Sequence, residues 1–461
     1  MIPEQTIDKF ETKHKPVNFK EKKMDNANLL SQTYDQIIKG ALGAGQKYFQ
    51  MLSNPKSFYW DVAPTGQIDP RAYQIMSGMP LWFPIGDFAY ADAGFVQAYR
   101  NVLSHVTFKV TPDQEQDLKE LQNQLTVAGN AVTKANSDMN QAYLTAKQNG
   151  GLVFASKYPE ITDWISSNEG ASYQKQVDNA VANKNRKQDL ILELQEASMP
   201  ATLKDAIAAI KLPDTDPASS TAPRGWTKVP DGSGILRWQP DWQIETSGRN
   251  WRVELTRGSQ GSFTIELNAS DSSSNLENSW AGGSASYNNF FWGVSGSGGW
   301  SKMDLTESDK NVKATISVQS STTVEVTPGA WYDGGFMKDL ATGGGQGYTI
   351  ASPYHATGGA NALFGQGGLL STRVSSLLVV YKPSFSITMS KSTYNKNVQK
   401  FNGSGGFRIG PFQFGGSGGH ESTYTHSTSD GTTFTGKSTS DYPLIIGVTV
   451  AFPGVDKPQH Q

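Results

Sequence analysis

Six histidines and no cysteines limit the chemistry open to this chain. His420 and His426 stand six residues apart with Glu421 beside the first, so in a strand both rings fall on one face. A zinc site needs at least one more convergent ligand, so a solvated strand face is the expectation and no metal site is expected. His355 lies in ASPYHATGG next to Ser352 and Tyr354. A Ser–His pair works only with the serine on a defined turn and an acid orienting the imidazole. The string GGSGG at Gly415–Gly419 lacks the strand–turn–helix setting of a nucleophile elbow. GGGQG (Gly343–Gly347) and GQGG (Gly365–Gly368) lack the Lys-Ser/Thr ending and following helix of a phosphate loop. Paired carboxylates for glycoside hydrolysis need no fixed spacing and stay open. Eight of the 11 tryptophans fall between residues 226 and 331. Such rings can stack on sugars, but clustered tryptophans in β-domains usually form core. Trp331 and Tyr332, in WYDGGFM after a Pro-Gly, read as an exposed contact loop.

The bulk composition narrows the classes further. Forty basic residues balance 42 acidic ones for a net charge of −2, which argues against a nucleic-acid partner. Absence of cysteine removes disulfides, thiol catalysis and thiolate metal sites. No cofactor is implied. The N-terminal stretch has basic residues but no apolar segment of a conventional signal peptide, so any release would follow a non-classical route, and the compartment is left open. The most apolar runs, Ser376–Tyr381 and Leu444–Phe452, have strand length rather than membrane-helix length.

The elements that must position these residues change character near residue 215. Residues 1–25 read as a polar tail. Residues 26–211 read as a helical domain, with helices over Asn26–Leu52 and Ala91–Val106. The clearest signal begins at Thr111-Pro112-Asp113-Gln114, a cap with proline at the first helical position. Leu118, Leu121, Leu125, Ala128, Val132, Ala135, Met139, Ala142 and Ala146 then follow at alternating spacings of three and four. That is a heptad seam, expected to end at Gly150-Gly151 and to pair with Ser172–Ser198 as a coiled-coil-like hairpin over 111–198. Phe154, Tyr158 and Trp164 fall at its tip and are candidates for membrane or partner contact. A short helix over Thr202–Ile210 closes the region.

A Pro/Asp/Ser/Thr-rich linker spans 212–225. Beyond it, residues 226–461 read as a Gly/Ser/Thr-rich antiparallel β-domain, a sandwich or long-stranded sheet with two similar halves. Strands are expected at Trp251–Thr256, Ser262–Asn268, Lys313–Val318, Thr322–Thr327, Arg373–Tyr381, Ser384–Ser390 and Gly447–Phe452. The fold class is therefore α+β and multidomain.

Two stretches of the β-region repeat, at about 288–329 and 409–454. Phe291 and Trp292 lead into GSGG and then Trp300; Phe412 and Phe414 lead into GSGG and then His420. A Ser/Thr/Asp-rich tract follows each, ending in a Val-x-Val strand and Pro-Gly. Strands made of Ser, Thr and Gly gain little from apolar burial, so they need neighbours in a wide sheet, a barrel or an oligomer. This texture resembles that of the Ser/Thr-rich hairpins of β-pore-forming toxins, without a signature motif of that class. The resemblance implies a non-enzymatic, self-assembling pore-forming or toxin-like protein whose two tracts form hairpins on oligomerisation. The homo-oligomer would meet a membrane or a glycan surface. A structural assembly component (sheath, fibre or surface protein) and a glycan-binding module are the alternatives.

Overall fold

The computed structural model describes residues 19–43, 48–58, 69–78, 86–87, 94–108, 112–158, 160–165, 167–195, 201–231, 233–244, 251–258, 261–271, 291–296, 299–306, 309–342, 348–351, 354–357, 362–364, 368–416 and 424–453. It is a mixed fold of helices and a mainly antiparallel sheet, with a long helical hairpin along one side.

Two 16-residue strands, Lys313–Pro328 and Arg373–Thr388, form the spine of the sheet. They pair antiparallel from Lys313↔Thr388 to Glu325↔Ser376 and span roughly 50 Å at strand rise. Each merges two expected strands into one. The break expected near Tyr381–Ser384 is a local bend at Lys382 (φ 45°) and Pro383, across which the register continues with one pair skipped. Leu444–Ala451 pairs with one end of the second spine strand and Thr433–Ser438 with the other.

Residues 377–381 are buried on both faces because the sheet there divides two cores. Leu377, Val379 and Tyr381 face the first; Leu378 and Val380 face the second. The first core is roofed by helices. Phe95–Leu103 buries Phe95, Ala98, Tyr99, Val102 and Leu103, and Ala201–Ile210 buries Leu203, Ala206, Ile207 and Ile210. Both follow the i, i+3, i+4, i+7 rule of an amphipathic helix. The second core is closed by the helix Phe19–Ile37 and by a small four-stranded sheet of Trp292–Gly296, Gly299–Lys302, Gly406–Ile409 and Phe412–Gly415.

Several expectations need correction. The helix expected over Asn26–Leu52 starts at Phe19, so part of the expected tail is helical, and it ends in a π-turn at Ile38–Leu42. Gly43 (φ 76°) takes the chain out of the helix. Phe49–Ser57 is a strand, paired with Leu444–Ala451. Trp251–Arg257 is a helix rather than a strand, because Trp251 and Leu255, four apart, are its buried pair. Three helices of eight or more residues were not foreseen, the first being Pro70–Ser77. Gly334–Ala341 is capped by Asp333, whose carboxylate accepts from the Phe336 amide at 2.9 Å. Lys391–Asn402 buries Thr393, Asn397 and Phe401 at every fourth position. The 212–225 segment marks a change of texture, yet residues from both sides share the first core: Tyr99 and Ile207 pack there with Trp242 and Trp331.

The repeat has a structural counterpart. Gly406–Ile409 is flanked by Trp292–Gly296 on one side and Phe412–Gly415 on the other, both antiparallel to it. Ile409 faces Trp292 and Phe412; Phe407 faces Val294 and Phe414. The leading strands of the two copies therefore sit on either side of one strand in the same register.

Candidate functional site

The hairpin pairs Pro112–Lys157 with Asn168–Gln195. The seam positions expected from spacing are all buried or half-buried. Leu118, Leu125 and Ile191 form a small core at the base, and Lys187 Nζ donates to Gln124 Oε1 at 2.8 Å across the pair. Further along, the seam turns to alanine and its side chains are only half-buried.

The turn at the far end is a built structure. The first helix breaks at Gly151 (φ 54°, ψ −142°), a conformation that disfavours any residue with a Cβ. Leu152 and Val153 follow immediately, 65% and 81% exposed. A reciprocal cap between Glu160 and Asp163 then starts the short helix Ile161–Trp164. Behind this corner the aromatic side chains pack on one another. Trp164 is fully buried, with Tyr143 at 5.7 Å and Tyr173 at 5.6 Å between ring centroids. Phe154 lies between Tyr143 (6.1 Å) and Tyr158 (5.2 Å), and both Phe154 and Tyr158 are half-buried. The Tyr143 hydroxyl donates to the Tyr158 carbonyl at 3.0 Å. Burial raises the pKa of that phenol, and the acids Asp163 and Glu160 add to the rise. The candidate contact residue Trp164 is therefore the keystone of the corner. The large apolar side chains that meet solvent at the corner are Leu152 and Val153, which the aromatic-centred sequence reading passed over.

The arm lies against the body. Arg237 reaches Asp178 at 3.3 Å and Lys56 reaches Glu160 at 3.0 Å. Both pairs are part-exposed, and such bridges contribute only about 0–1 kcal/mol each. At the arm's base, Gln97 meets Gln188 at 3.4 Å, and Arg100 donates to the Ile210 carbonyl at 3.0 Å. Burial lowers the Arg100 pKa, and Asp189 on the arm counters it. His105, at the end of the same body helix, is held by the Asn101 carbonyl (2.7 Å) and Ser104 Oγ (3.2 Å), with Tyr354 edge-on at 4.6 Å. Burial lowers its pKa, the Asn101 bond opposes that, and Lys184 of the arm lowers it further.

The remaining candidates take structural places. Trp331 is not on an exposed loop: it is fully buried against Trp242, Tyr99 and Phe95, with its indole N–H donating to the Asp241 carbonyl. The helix capped by Asp333 turns it inward. Tyr332 is half-buried under the Arg373 guanidinium, 5.8 Å from its ring. Phe291, Trp292, Phe412 and Phe414 are core residues, while Trp300 is half-buried against Gly416 of the second copy. Of the tryptophans between 226 and 331, only Trp300 is other than buried among the described residues. His420, Ser352 and Gly343–Gly347 lie outside the described residues. His426 stacks on Tyr424 (5.0 Å) and meets Phe401 edge-on (5.2 Å). Among the described residues, no group of three His, Asp or Glu side chains could hold a metal ion.

The Ser/Thr tracts differ from each other. The second is already a hairpin, Tyr424–Ser429 with Thr433–Ser438, turned by Asp430 (φ 57°) and Gly431 (φ 62°). The first continues from the strand Gly299–Lys302 into a segment that buries Met303, Leu305 and Asp309, so it does not make a matching hairpin. Among the described residues no helix is long and apolar enough to cross a membrane. Comparison with protein-family models, with curated proteins and with solved structures finds no match.

Proposed function

We propose that the protein is a non-enzymatic, self-assembling protein of the pore-forming or toxin-like class that makes its first membrane contact through the corner of its helical arm. The observation that carries this reading is the adjacent pair Leu152 and Val153, two exposed aliphatic side chains at the apex of a long arm. Full burial of two such side chains in lipid is worth about 3–6 kcal/mol. One copy therefore binds weakly, and several copies on one surface gain by avidity. The ion pairs that hold the outer part of the arm to the body are weak, so that part can swing out while Leu192 keeps the base in the first core.

The test is flotation with liposomes together with dye release. The intact chain is expected to float and to release dye, and the pair Leu152→Asp and Val153→Asp is expected to lose both while keeping its fold. Failure to bind any lipid mixture, alongside regular assemblies in solution, would sink the membrane reading. That outcome would favour a structural assembly component, the second reading, which the outer edge of Tyr424–Ser429, left without a strand among the described residues, supports.

A further inference from the structure

One edge of the central sheet is closed by side chains instead of by a strand. Phe263–Asn268 pairs with Lys313–Val318 on its inner side. Along its outer side runs the helix Phe19–Ile37. The Gln36 carboxamide accepts from the Glu266 amide at 2.7 Å and donates to the Glu266 carbonyl at 2.6 Å. Gln32 does the same at Asn268, accepting at 3.1 Å and donating at 3.1 Å. Asn28 donates to the Asp271 carbonyl. Each glutamine thus reproduces the double exchange a residue in a paired strand makes. The geometry fits because four helical residues advance about 6 Å and two strand residues about 6.6–6.8 Å. The helix is a stand-in for a missing strand.

At the other flank, Tyr424–Ser429 pairs only with Thr433–Ser438, and among the described residues no strand covers its outer edge. Edge strands commonly carry lysine, proline or inward charges that discourage pairing. This one, YTHSTS, carries no lysine, proline or acid. The two edges match in length at six residues each. Their exposed side chains, Thr264 and Glu266 on one and Thr425, Ser427 and Ser429 on the other, bring no like charges together.

We infer that the 263–268 edge is the acceptor for the 424–429 edge of a second copy of this chain, and that the N-terminal helix occupies the acceptor until it is displaced. The inference rests on the self-assembly part of the proposed function and makes no use of the membrane part. Donor and acceptor are different surfaces, so every added copy presents a fresh acceptor, and the assembly closes into a ring or grows as a filament. Leu29, Leu30, Tyr34 and Ile37 anchor the helix in the second core, so release needs an input. The π-turn at Ile38–Leu42 and Gly43 supplies the bend.

The chain has no cysteine, so engineered thiols report contact cleanly. One sample carries Thr264→Cys or Glu266→Cys, the other Thr425→Cys or Ser427→Cys, and the two are mixed and oxidised. Replacing Asn28, Gln32 and Gln36 by alanine removes the edge hydrogen bonds while keeping the apolar anchors. At about 1 kcal/mol or less net per bond, this should raise cross-linked dimer about ten-fold or more over the chain with its helix intact, with association visible by sedimentation velocity. A folded triple variant that stays monomeric would overturn the inference. So would association without a cross-link between these edges, which would leave self-assembly standing. If the triple variant does not fold, Gln36→Ala alone must speed hydrogen exchange at the Glu266 amide and raise cross-linking; unchanged cross-linking refutes the pairing.

Discussion

Leu125 and Trp331 are both buried, but their surroundings differ. Leu125 belongs to a cluster of three buried residues, with Leu118 and Ile191, on a two-helix arm. Trp331 sits in a core drawn from helices and strands across the whole chain, with aromatic neighbours at 5.5 to 6.3 Å. The arm is held together by a one-dimensional seam, and ion pairs at its rim tie its outer part to the body. The body is cross-braced, because its central strands are covered on both faces. A protein with this division can shift its arm without dismantling its sheet.

The comparison breaks most sharply at Trp331. Trp331→Ala should destabilise the body by about 3–5 kcal/mol, measured by denaturant unfolding; a cost below about 1 kcal/mol would mean that the first core does not depend on it. Leu125→Ala should cost about 2–3 kcal/mol and act locally, speeding amide exchange along the arm while exchange in the spine strands stays slow. Equal acceleration in both would show that arm and body unfold as one. His105 sharpens the boundary between them through pH. Its folded pKa lies below the ordinary 6.5, so the unfolded chain takes up the proton first. This contribution to stability is complete above about pH 6.5 and falls as pH drops towards the folded value. Thermal unfolding between pH 7.5 and 5 should show that slope, and His105→Gln should flatten it. The double change Lys56→Ala and Glu160→Ala should cost no more than about 1 kcal/mol yet raise exchange at the arm's corner. Smallest of all, Val153→Ser should leave stability within about 0.5 kcal/mol while weakening liposome flotation.

The arm was legible in sequence because a coiled coil is a local pattern: every seam position, from Leu118 to Ala146, turns inward. The long spine strands were visible in outline because each half alternates, but the phase flips at the Lys382 bend: Leu378 and Val380 face the second core before it, Phe385 and Ile387 after it. What escaped depends on distant partners. Trp251–Arg257 carries β-favouring residues, but a helix brings Trp251 into a stack with Phe58 at 5.6 Å. Phe49 and Met51 alternate like a strand, yet nothing local says that their neighbour lies 400 residues on, at Gly447 and Thr449. At the candidate site the aromatic side chains drew attention and proved to be the support, while the plain aliphatic pair beside Gly151 is what reaches solvent. Asn28, Gln32 and Gln36 stand at every fourth position in the sequence. That spacing is a readable signal, but its meaning needs the strand edge beside it.

Gly406–Ile409 has neighbours on both sides that share one register, with a constant offset of 120 residues between them. To that strand, left and right are nearly interchangeable. Only side chains tell them apart: Val294 against Phe414 opposite Phe407, and Gly293 against Gln413 opposite Arg408. The small sheet therefore poses a sorting problem during folding. A chain that seats Phe412–Gly415 where Trp292–Gly296 belongs satisfies the backbone and errs only in its side chains. The same ambiguity lets one molecule lend its strand to another, so refolding at high concentration is where exchanged dimers would accumulate.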